Sequence, residues 1–113
     1  MNIKELCSRY AAGQRDFSNL NLMAGNLRNL NLKGINLTRA NLTKANLTNT
    51  NLSCANLTGA ILTGATLNKT NFTQANLTDA NLSDTNLVDA NLSQAYRRHT
   101  AKTTNSSMNP IMQ

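Results

Sequence analysis

Residues 36–60 read NLTRA NLTKA NLTNT NLSCA NLTGA, five blocks of five in which Asn-Leu opens each block and Ala or Thr closes it. Followed outward, the same interval holds without a gap from Phe17 to Leu92. A large apolar residue stands at sixteen successive fifth positions, fourteen of them Leu and two Phe. Asn precedes it in thirteen of the sixteen, with Asp16, Ile61 and Thr66 as the exceptions, and Ser or Thr follows it in eleven. From Ala40 onward the residue two before the Leu is mostly Ala or Thr, so the unit is Ala-Asn-Leu-Ser/Thr-x.

A period of five suits neither regular element. On an α-helix five residues advance by about 500°, a net rotation of about 140°, which scatters the leucines around the cylinder. Along a straight strand an odd period sends successive leucines to opposite faces. One side can collect them all only if the backbone turns once per block, always in the same direction. If each block is one side of a square, four blocks close a coil of roughly twenty residues. Every central Leu then points to the axis, and the small residue two before it can join it there. Residue i stacks on i+20, coils lie about 4.8 Å apart, and main-chain groups pair with the coils above and below. Sixteen blocks make four coils. Phe17 is expected to stack with Leu37, Leu57 and Leu77, and Leu32 with Leu52, Phe72 and Leu92. The other two columns are Leu22, Leu42, Leu62 and Leu82, then Leu27, Leu47, Leu67 and Leu87.

The tandem Ala-Asn-Leu-Ser/Thr-x run over residues 15–95 resembles the pentapeptide-repeat proteins, whose pattern is Ala-Asp/Asn-Leu-x-x. Residues 9–22, RYAAGQRDFSNLNL, resemble the N-terminal segment of many cyanobacterial members. The resemblance implies an all-β solenoid: a right-handed quadrilateral β-helix of about four coils with a short N-terminal α-helical cap. The square turn follows from the period; the handedness comes from the resemblance alone.

Three segments are expected: a capping helix over 1–14, the β-helix over 15–95 and a flexible tail over 96–113. Near the start, Ile3, Leu6, Cys7 and Tyr10 share one face at helical spacing, and Gly13 suits a helix stop. This helix reads as a lid on the first coil, where Leu20, Leu30 and Ile35 replace small residues as if filling space beneath it. At the other end Arg97 takes the next central position, so the repeat is expected to stop there. Tyr96 is the aromatic nearest that open end. An uncovered last coil exposes core and unpaired backbone and is the expected surface for a homodimer, as the resemblance also implies.

Composition narrows the function. The chain has 113 residues, 40% hydrophobic, with a net charge of +6 and charged residues at only 14%. That suits one small domain and excludes a highly charged disordered polymer. Apolar runs are too short to span a bilayer, and the start lacks the apolar centre of a secretory signal. A cytoplasmic protein with no membrane association is expected, with Cys7 and Cys54 reduced. The nine Asn-x-Ser/Thr triplets in register with the repeat are a by-product of it and should carry no sugar in that compartment.

No catalytic, cofactor or metal constellation is present in the sequence. His99 is the single histidine, no phosphate loop or metal-ligand spacing occurs, and Asp79, Asp84 and Asp89 fall on three successive sides and diverge. The variable residue of each block faces outward and carries identity. Arg28, Lys33, Arg39, Lys44, Lys69, Asp79, Asp84 and Asp89 form the candidate partner-binding surface, basic in the early coils and acidic in the fourth. Lys69 and Asp89, twenty apart, are expected neighbours in one outer column. The leading reading is a non-enzymatic protein-interaction or regulatory scaffold with an unknown protein partner. The alternative is nucleic-acid association through the basic early coils and Arg97, Arg98 and Lys102, though no aromatics are interleaved for base stacking. Some proteins of the resembled family imitate DNA through an acidic face; net +6 without an acidic column departs from that pattern.

Overall fold

The computed structural model describes residues 1–101. Fourteen parallel bridges, from Asp16↔Asn36 to Asn81↔Ala101, all join residue i to residue i+20. A turn follows every bridge position from Asp16 to Tyr96, so five residues make one side and four sides make one coil. Only one residue per side pairs in this way. The described residues therefore contain isolated bridges rather than extended strands, which sharpens the all-β expectation: the pairing is β, but each side is too short to be a strand of its own.

The hydrogen bonds explain the consensus residue by residue. In the block 56–60, Leu57 N–H donates to Asn76 O (2.8 Å) and Gly59 N–H to Thr78 O (2.8 Å), both in the following coil. Asn56 N–H donates back to Ile35 O (2.9 Å), and Ala60 N–H closes the turn on Leu57 O (3.0 Å). That leaves Thr58 N–H, which the Asn56 side chain accepts at 3.0 Å while also taking the Thr58 hydroxyl at 2.7 Å. All five main-chain donors are thereby satisfied, as a tightly packed backbone requires. The Asn before each Leu supplies the one acceptor that the main chain lacks, and the Asn-x-Ser/Thr triplets follow from this local turn.

Asp16 performs the same task at the first coil. Its carboxylate accepts from Ser18 Oγ (2.7 Å) and Ser18 N–H (3.0 Å), and these two bonds, the hydroxyl first, hold its carboxyl below the usual carboxylate range. A lowered folded-state value means a stabilisation complete above the unfolded carboxylate range and lost as pH falls through the lowered value. Asp16→Asn is expected to keep the turn and to remove this component of acid sensitivity. Thermal melts at pH 3 and pH 7, compared between the two proteins, check it.

Two residues per block line the interior. Phe17, Leu37, Leu57, Leu77, Leu32, Leu52, Phe72 and Leu92 are all buried, as are the leucines of the other two columns. Between them sit Ala40, Ala45, Ala55, Ala60, Ala65, Ala75, Ala80 and Ala90. Thr50 and Thr70 occupy the same inward position and remain satisfied: their hydroxyls donate to Leu27 O (2.6 Å) and Leu47 O (2.7 Å) of the preceding coil.

Helix α1 spans Ile3–Ala11. Asn2 caps it by accepting Glu5 N–H at 2.8 Å, and Glu5 pairs with Arg9 at 2.7 Å one turn on. Gly13, at φ +106°, ends it, because a left-handed stop is easiest without a Cβ. The helix covers the first coil. Leu6 is fully buried in the common core, with Ile3, Tyr10, Leu20 and Leu30 packed against it. Tyr10 Oη donates to Lys33 O at 2.6 Å, and the Arg15 guanidinium stacks 3.7 Å from the Tyr10 ring. Gly25 replaces the usual Ala where the helix arrives; a Cβ there would lie 3.2 Å from Ile3 Cδ1.

The far end differs from expectation. The ladder does not stop at residue 95: Tyr96 and Ala101 bridge Asn76 and Asn81, and Thr100 Oγ1 donates to Leu77 O at 2.6 Å. Backbone pairing depends on donor and acceptor register, which Arg97 preserves even though it ends the leucine column. Residues 96–101 therefore begin a fifth coil. Tyr96 is 70% exposed and does not cover the end. The remainder of the tail expected over 96–113, including Lys102, lies outside the described residues.

Candidate interaction surface

Each corner from Leu22 onward is a four-residue turn closed on the carbonyl of the central residue, and the third residue takes positive φ at every corner from Asn19 to His99. Arg39 (58°), Lys44 (59°), Lys69 (59°), Asp79 (61°), Asp84 (58°) and Asp89 (61°) all occupy this position. The left-handed region is costly for most side chains and easiest for Gly, Asn and Asp. Nine of the seventeen corners carry one of those three, so backbone strain accounts for part of the acidic ring without any partner. The sequence carries the signal of this geometry as an excess of Gly, Asn and Asp at every fifth position.

The coil register places the candidate residues. Arg28, Lys33, Arg39 and Lys44 lie on four different sides of the first two coils, and Lys69 shares the side of Arg28 two coils on. They encircle the solenoid instead of forming one patch. Asp79, Asp84 and Asp89 likewise occupy three successive corners of the fourth coil, all exposed. The expected polarity along the axis needs correction, because the acidic ring is followed by Arg97, Arg98 and His99; Asp79 N–H donates to Arg98 O at 2.9 Å. The order is basic, acidic, basic. Lys69 and Asp89 do share a column, yet no ion pair joins them; two flexible exposed side chains gain little by meeting.

Three further features bear on function. Beside the last complete coil, Ala90, Asn91, Leu92, Ser93, Gln94 and Arg97 line a shallow concavity. Cys7 and Cys54 are both free thiols, and Cys54 Sγ lies 3.6 Å from Gln74 Oε1. Among the described residues no group of three His, Cys, Asp or Glu could hold a metal ion, and no helix is long and apolar enough to cross a membrane.

The two interior exceptions to the Asn rule fall side by side. Ile61 and Thr66 replace Asn on consecutive sides of the third coil, and Ile61 is 41% exposed. Ile61 has no acceptor to offer Thr63 N–H. Ile61→Asn is expected to restore that bond and raise stability by about 0.5–1.5 kcal/mol, read as a higher midpoint in urea.

Known proteins agree with this geometry. The family model of pentapeptide repeats matches in eight copies, over residues 16–53, 25–64 and 55–94. Among solved structures, a pentapeptide repeat protein from the Arabidopsis thaliana thylakoid lumen superposes with TM-score 0.75 at 22% identity, over 89% of this chain and 77% of that one. The pentapeptide repeat protein Rfr23 from the cyanobacterium Cyanothece 51142 gives TM-score 0.61 at 34% identity, over 80% of this chain and 60% of its own. QnrB1, a plasmid-mediated fluoroquinolone resistance protein, gives 0.52 at 22% identity, over 71% of this chain and 44% of its own. No curated protein sequence matches the chain. With turns every five residues, a pairing offset of twenty and the family pattern spanning the coils, this chain belongs to the pentapeptide-repeat family.

Proposed function

We propose that the chain is a non-catalytic protein-interaction module, a rigid scaffold of regulatory type that acts in the cytoplasm. In this reading the coil is the right-handed quadrilateral β-helix of the family. One observation carries it: within a consensus block the main chain and the Asn side chain satisfy every backbone donor, so no backbone donor depends on the outward side chains of the turn. The outward residues of each turn can then be set by a partner without cost to the buried columns, which is how solenoids present binding surfaces. Arg28, Lys33, Arg39, Lys44, Lys69, Asp79, Asp84 and Asp89 are the residues proposed to do so. The test is affinity capture of partner proteins by the wild-type chain and by a variant with Arg28, Arg39 and Lys44 reversed to Glu. A specific partner lost on reversal supports the reading; an identical set of captured proteins removes these residues from it.

The homodimer through the C-terminal coil belongs to the same reading, supported by the concavity at that end. A second reading is nucleic-acid association, favoured by Tyr96, 70% exposed, beside Arg97 and Arg98. Salt-dependent retention of DNA or RNA supports it; no retention at low salt removes it.

A further inference from the structure

The register aligns two neighbouring corner columns with the same order over three coils. One reads Asn19, Arg39, Gly59, Asp79, His99 and the other Ala24, Lys44, Gly64, Asp84, each in steps of twenty, so that over the second to fourth coils both run basic, glycine, acidic. These columns bound a single face, the side formed by residues 40–44, 60–64 and 80–84. At the middle level both corners are glycine, and the outward residues between them are Ile61 and Thr63, with Ile61 exposed where its neighbours above and below are Asn41 and Asn81. The glycines leave room for the basic side chains: a Cβ at Gly59 would lie 3.2 Å from Arg39 Cγ, and one at Gly64 3.3 Å from Lys44 Cγ. Corners of the opposite sides do not repeat this order; they read Asn29, Asn49, Lys69, Asp89 and Gly34, Cys54, Gln74, Gln94.

The face is therefore antisymmetric in charge about the Ile61 level: positive one coil above, uncharged and open at the centre, negative one coil below. We propose that this face binds a second copy of the chain, with the two solenoids antiparallel about a two-fold axis running along the 60–64 side. That operation exchanges the second coil with the fourth and keeps each corner opposite its own column. Arg39 meets Asp79 of the second copy, Lys44 meets Asp84, Asn41 meets Asn81, and the two Ile61 side chains cover each other. A parallel arrangement would set Arg39 against Lys44 of the second copy, so charge selects the antiparallel one. Arg39 Nε is held by Asn19 Oδ1 at 3.1 Å, which leaves its terminal nitrogens to donate outward. Asp84 has a contact of its own within the chain, so the Arg39–Asp79 pair carries the larger share. The contact is small, and the dimer is correspondingly weak.

The experiment uses two variants of the whole chain, Arg39→Asp/Lys44→Asp and Asp79→Lys/Asp84→Lys. Both Lys and Asp already occupy corners at the same positive φ, at Lys69 and Asp89, so both variants should fold and melt cooperatively, with the Asp-to-Lys variant somewhat less stable. By sedimentation equilibrium at low salt, the wild type is expected to self-associate. Each variant alone should dimerise at least about tenfold more weakly, because like charges now face each other. An equimolar mixture should recover the association, since one variant then offers only acidic corners and the other only basic ones. A monomeric wild type at every concentration overturns the proposal and leaves the face to a foreign partner. Variants that associate as well as the wild type overturn it too and place the contact elsewhere, as at the C-terminal coil. A mixture no better than its components equally rejects it.

Discussion

Leu57→Asp is expected to abolish the cooperative thermal transition and the folded circular dichroism signal of the β-helix. Leu57 is fully buried and stands in the column between Leu37 and Leu77. Deleting a buried Leu side chain costs about 2–5 kcal/mol, and a carboxylate placed in a dry apolar column costs several more unless it takes up a proton. Domains of this kind carry about 5–15 kcal/mol in total, so the substitution removes a large fraction of it. The damage spreads, because each coil is held only by its two neighbours and the third coil lies between the second and the fourth. Leu57→Ala should give the graded version, a folded protein with a lower urea midpoint. A Leu57→Asp protein that melts like the wild type would place this residue outside the core and refute the inward columns.

The second large effect is expected at the cap. Leu6 is as fully buried as the coil leucines, yet it reaches the core from α1. Leu6→Ala is expected to cost about 2–4 kcal/mol and to lift the helix from the first coil. A purely helical defect and a lifted cap can be told apart through the thiols. Cys7 is half-buried next to Leu6, whereas Cys54 is exposed on a corner. Labelling of Cys7 by a thiol reagent should accelerate in Leu6→Ala while Cys54 reacts as before. If the melting temperature and the Cys7 rate both stay at wild-type values, the helix contributes no cover. In that case the close approach of Ile3 to Gly25 is without energetic consequence.

Much of the interior was legible because a five-residue period has one geometric solution that buries every leucine. The columns built on Phe17 and Leu32, the inward alanines and the capping face of Ile3, Leu6 and Tyr10 all follow from spacing. The reason for Asn before Leu was not legible in that way. Spacing identifies the residue, but only the coordinates show that four of the five donors in a block find main-chain acceptors and that the Asn side chain accepts the fifth. By spacing the corner residues are only outer positions; their left-handed backbone shows that Asp79, Asp84 and Asp89 also answer a conformational demand. Side chains alone place the boundary at residue 95, whereas the backbone ladder runs past it to Ala101 because hydrogen-bond register does not require a leucine.

Alone, the amino-acid order determined the period, the identity of the buried columns and the net positive charge, since each depends on residue type and spacing. Tertiary structure decided which outer residues share a face. Arg28 and Arg39 are close in sequence but lie on different sides, while Arg39 and Asp79, forty residues apart, stand on one edge. The reason is physical: a chain that turns a corner every five residues separates sequence neighbours around its perimeter, and the pairing offset of twenty aligns residues that no local pattern connects.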